Sequence, residues 1–133
     1  MKIIYINFFG GVSVVHPTGE LSIEEVAKVS VPDGVPYELV EDDAIPINRT
    51  FRNAWNLVGS KVSINITKAQ EITKDRLRAE REPLLVEQDI AYMKALETNS
   101  DTTAIVAEKQ RLRDITNQVD SMTTVVELKG ATV

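Results

Sequence analysis

Near Ile66 the chain changes its hydrophobic period, and that switch limits the fold more than any single residue does. Before it, short β-branched and aromatic runs alternate with clusters of Gly, Pro, Asn and Asp, the signature of strands and turns. After it, Lys, Arg, Glu, Ala and Leu dominate, all good helix formers. A helical pattern does not settle as a strand, nor the reverse. The expected class is therefore α+β. A β-rich head of hairpins with one short helix occupies residues 1–65, an antiparallel helical hairpin 66–120, and a tail 121–133.

Within the head, Ile3-Ile4-Tyr5-Ile6 and Val12-Ser13-Val14 read as a first hairpin, turning at Phe9-Gly10-Gly11. Asn7, Gly10 and Gly11 interrupt the apolar run, so it reads as strand rather than as a secretion signal. Ser22 and Glu25 have capping-box spacing and predict a short helix with Ile23, Val26 and Ala27 on its apolar face. Pro32-Asp33-Gly34 supplies a turn before a strand at Tyr37-Glu38-Leu39-Val40. A second hairpin is expected from Ala54 to Ile64, turning at Val58-Gly59-Ser60.

In the helical part, Thr67 and Gln70 predict a cap for a helix running to Glu97, with a kink or break near Arg81-Glu82 ahead of Pro83. Thr98-Asn99-Ser100 is a short connection to a second helix from Asp101 to about Gln118. Leu84, Leu85, Tyr92, Met93 and Leu96 are expected to face Ile105, Leu112, Ile115 and Val119. At about 1.5 Å per residue the two patterns span roughly 45 Å and roughly 27 Å. The returning helix thus leaves the stretch before Pro83 uncovered. Ile66, Ala69, Ile72 and Leu77 must then lie on the head, in solvent or on another chain, and a partner chain is the expected cover.

Reactive chemistry is sparse. The chain has no cysteine, which removes disulfides and thiolate metal sites. Its net charge of −5 argues against a phosphate backbone as partner, and no apolar run is long enough to span a membrane. The single histidine, His16, has no triad or metal-ligand spacing around it. Glu38, Glu41, Asp42 and Asp43 lack the ordered spacing of a calcium loop. Arg76, Arg78, Arg81, Arg111 and Arg113 lie among acidic residues, as on a helix face laced by salt bridges. No catalytic, metal or cofactor residue is assigned, and no enzyme activity, nucleic-acid partner or membrane partner is expected.

Phe51 and Trp55, four residues apart, are the largest apolar pair and are open to two roles. One is the head's core, since each can bury about 150–250 Å². The other is a docking anchor, flanked by Arg49 and Arg52, which in either role can pin the Glu41-Asp42-Asp43 loop. The residues expected to meet a partner are Phe51, Arg52, Trp55, Ile72, Arg76 and Leu77.

Four segments taken together carry a resemblance: Met1 to Asn7, Gly11 to Pro17, Val31 to Tyr37 and Arg49 to Trp55. With Asp75-Arg76-Leu77-Arg78, Asp89 to Leu96 and Lys109 to Asp114, they are similar to a group of small tailed-bacteriophage proteins encoded among tail genes. The helical part also resembles, more loosely, the helical ends of phage tail-fibre assembly proteins. The likeness extends to about Gln118 and contains no catalytic motif. It implies a virion setting, with assembly in the host cytoplasm. The implied role is a non-enzymatic tail or tail-fibre attachment piece, contacting other tail or fibre proteins or further copies of itself. A transient assembly chaperone is the alternative, and a host-directed regulator or enzyme a third.

Overall fold

The computed structural model describes residues 1–133, which divide into two compact units, Met1–Lys68 and Ala69–Val133. The α+β class expected from the sequence is the one observed. In the first unit, β1 (Lys2–Ile6), β2 (Val12–Val15) and β3 (Tyr37–Val40) form an antiparallel sheet in the order β2-β1-β3. A separate hairpin joins β4 (Trp55–Val58) and β5 (Lys61–Ile64).

The continuous apolar run of β1 has a simple cause: as the central strand it is covered on both faces. Ile4, with Val12 and Val40, turns to the β4-β5 hairpin and packs with Ile45, Trp55 and Val62. Ile3 turns the other way and packs with Ala27 and Val31 of the segment containing helix α1 (Ile23–Ser30). Successive residues of one strand thus serve two cores.

Helix α1 starts where Ser22 and Glu25 place it. The Ser22 backbone N–H donates to Glu25 Oε2 at 2.9 Å, and the Glu25 N–H donates to Ser22 Oγ at 3.3 Å. Hydrogen bonding from Ser22 to the carboxylate, its backbone N–H contributing most and its side chain next, holds the Glu25 carboxyl below its ordinary range. A carboxyl with a lower pKa folded than unfolded adds stability above its unfolded value, and that stability disappears as pH falls through the folded one. The first turn of α1 should therefore fray in acid, and Ser22→Ala should weaken the helix by about 1 kcal/mol. Amide exchange at Val26 and Ala27, followed with pH, checks both; a profile unchanged by the substitution would rule the cap out.

The second unit contains most of α2 (Ile66–Glu97), α3 (Thr103–Arg113), a 3-10 stretch (Ile115–Ser121) and α4 (Val125–Gly130). Several expectations need correction here. Helix α2 begins at Ile66, because the Asn65 side chain accepts from the Lys68 N–H at 3.1 Å; Thr67 is already inside it. Pro83 lies within α2 and does not break it. The next helix stops at Arg113 rather than Gln118, and the chain tightens into the 3-10 stretch. Met93 and Leu96 are exposed, while Ala95 occupies the buried position between them.

The largest correction concerns the stretch before Pro83. Ala69, Thr73 and Leu77 are buried within the chain itself, and residues between them tie α2 to the chain's last third. Gln70 Nε2 donates to the Met122 carbonyl at 2.8 Å, and Lys74 pairs with Asp120 at 2.7 Å. Arg76 Nη2 donates to the carbonyls of Leu128 at 3.3 Å and Ala131 at 2.8 Å. Residues 121–133 are thus part of the second unit and contribute the fully buried Leu128. Ala69 and Leu77 therefore need no partner chain as cover, while Ile66 and Ile72 stay half-buried.

Candidate interaction surfaces

The residues singled out from the sequence fall into two groups. Phe51, Trp55 and Leu77 are at most 3% exposed, so none of them offers a surface. Of the two roles open to the aromatic pair, Phe51 and Trp55 take the core one. Trp55 sits in the cluster with Ile4, Val12, Val40, Ile45 and Val62. Arg52 is exposed, and Ile72 and Arg76 are half-buried. Arg76 holds Glu80 at 3.0 Å besides the two carbonyls near α4, which makes it an internal tie.

The other arginines behave mostly as a salt-bridged face, with Arg78–Asp75 and Arg111–Glu108 both at 2.7 Å. Arg81 departs from that pattern, donating to the carbonyls of Leu112 at 3.3 Å and Arg113 at 2.8 Å, where α3 leaves acceptors unsatisfied. The acidic loop is not pinned by Arg49 or Arg52. Lys2 pairs with Asp42 at 3.3 Å, while Arg49 Nη2 lies 3.4 Å from His16 Nε2.

A surface absent from the sequence reading lies at the tip of the first hairpin. Phe8 is 97% exposed and Phe9 91%, with their rings edge to face at 5.5 Å between centroids. The turn that carries them is tightly bonded. Asn7 Oδ1 accepts from the N–H groups of Phe9 and Gly11, both at 3.0 Å. Asn7 Nδ2 donates to Ser13 Oγ at 3.0 Å, and Gly10 takes the positive φ of 78° that the turn requires. Two adjacent aromatics on a turn this short cannot both fold back to the core.

Beside the tip runs an apolar groove of about 550 Å³, lined by Tyr5, Ile6, Pro32 and Val35 together with Asn7 and the two phenylalanines. A second hollow of about 320 Å³ shares Ile6 and Val35 and continues past Pro36, Tyr37 and Glu38 to Leu57 and Gly59. Chemically, this end of the head can bind an apolar side chain or an extended peptide. No group of three or more His, Asp or Glu side chains is placed to hold a metal ion, and no helix is long and apolar enough to cross a membrane. Scans against models of protein families, curated proteins and solved structures each returned no match.

Proposed function

We propose that this chain is a non-enzymatic structural part of a bacteriophage tail, an attachment or adaptor piece that works through protein–protein contacts. The setting comes from the resemblance of its head and helical segments to small tail-module proteins. The observation that carries the contact role is the exposed Phe8–Phe9 tip, stiffened by Asn7 and bordered by an apolar groove. Large exposed apolar patches mark interaction sites far more often than they mark idle surface. A rigid turn also presents them with little ordering entropy left to lose on binding.

The net charge of −5 favours a second reading, a transient tail-fibre assembly chaperone that leaves before the particle matures. Quantitative mass spectrometry of purified particles separates the two. A virion component is expected at a fixed copy number per particle, whereas its absence from infectious particles would sink the structural reading in favour of the chaperone. In both cases Phe8→Ser with Phe9→Ser should leave the fold intact and remove the contact.

A further inference from the structure

The strand β3 is paired on one side only, with β1, in a register from Lys2↔Val40 to Tyr5↔Tyr37. Its other edge carries no strand. Natural sheets blunt such edges with very short strands, charged side chains, proline or a bulge. Tyr37-Glu38-Leu39-Val40 is only four residues long and its one charge is Glu38, but it holds no lysine, proline or bulge, and Tyr37 and Leu39 remain 43% and 36% exposed on one face. On the other face Glu38 is exposed, its carboxylate accepting only a long 3.5 Å bond from the Ser60 hydroxyl, and Glu41, Asp42 and Asp43 follow directly. Of these four acids only Asp42 has an ion-pair partner, Lys2.

From these features we infer that the β3 edge accepts an extended segment of a partner protein in which apolar and basic residues alternate. Main-chain bonds to the open edge supply the generic attraction. Strand alternation puts the partner's apolar residues over Tyr37 and Leu39 and its basic residues beside Glu38. The charge decides against a second copy of this chain, since pairing two β3 edges brings Glu38 and the acidic turn against their own equivalents. The inference rests on the reading of the chain as a part held by protein contacts, and not on the viral setting.

The test uses the full chain, isotope-labelled, titrated with blocked peptides and followed through its backbone amides. A peptide of alternating valine and lysine should bind, shifting and protecting the amides of residues 37–40. The same peptide with glutamate for lysine, or with alternate amides N-methylated, should not. Glu38→Lys, at an exposed position, should weaken the lysine peptide about tenfold, as expected when a cross-strand attraction becomes a repulsion. Equal binding of the acidic peptide would overturn the proposal. So would shifts confined to β2, or concentration-dependent self-association that already protects β3. A chain missing from purified particles that still takes the lysine peptide would sink the virion reading alone. One present in particles that refuses the peptide would sink this inference alone.

Discussion

Replacing Trp55 by alanine is expected to destabilise the first unit by about 3–5 kcal/mol, a large part of the roughly 5–15 kcal/mol that holds a typical domain together. The indole is 2% exposed among side chains from both the three-stranded sheet and the β4-β5 hairpin. Its removal therefore opens a void where the two layers meet. The buried Nε1 has no protein hydrogen-bond partner. Trp55→Phe, which keeps most of the apolar contact and deletes that unpaired donor, should accordingly lose much less. Trp55 is the only tryptophan, so its fluorescence in the unaltered protein reports the first unit's unfolding in urea. In the variants, methyl resonances of Ile3 and Ile4 serve the same purpose. A Trp55→Ala midpoint close to that of the parent would exclude the core role.

An effect of similar size is expected in the second unit from Leu128→Ala, about 2–5 kcal/mol. Leu128 is fully buried, yet α4 is six residues long and far too short to persist by itself. It is held by the Thr124 cap, whose hydroxyl accepts from the Glu127 N–H at 3.2 Å, and by the Arg76 bonds to the Leu128 and Ala131 carbonyls. Loss of the leucine should release α4 and bare Ala69, Thr73 and Leu77. The measurable result is faster hydrogen exchange across residues 69–77, with the α2–α3 contact around Lys109 and Asp89 (2.6 Å apart) retained. If residues 69–77 stay protected without Leu128, then α4 is not their cover. Removal of residues 122–133 should act in the same direction and further.

Much of the first unit was legible because its signals are local. The turn at Gly10, the Ser22–Glu25 pair and the Gly59 turn each declare themselves within a few residues, and the observed elements follow. The second unit was harder because its decisive contacts are non-local. Nothing in Met122-Thr123-Thr124 announces that a carbonyl there will meet Gln70, or that Arg76 will reach Ala131. The sequence marks Arg76 as part of a charged helix face and as a partner contact, whereas its guanidinium serves two carbonyls far along the chain. The candidate surface was missed for a different reason. Phe9-Gly10-Gly11 was legible as a turn, and reading it as punctuation hid that its aromatic residues have nowhere to be buried. Tyr37 and Leu39 carried a strand signal, but sequence alone does not say that the strand will be an edge.

The late position of Leu128 also sets a clock on biogenesis. Every strand pairing in the first unit joins residues within its own 68 positions, so that unit can close while the rest of the chain is still being made. The start of α2, by contrast, leaves the ribosome long before Met122, Leu128 and Ala131, whose carbonyls Gln70 and Arg76 bond. At about 5–20 residues per second the start of α2 waits several seconds with its apolar stripe bare. During that interval it is open to holdase chaperones, to proteases and to other nascent copies. Yield in a host should therefore respond to translation speed through the codons for residues 78–128 more than through those for residues 1–68.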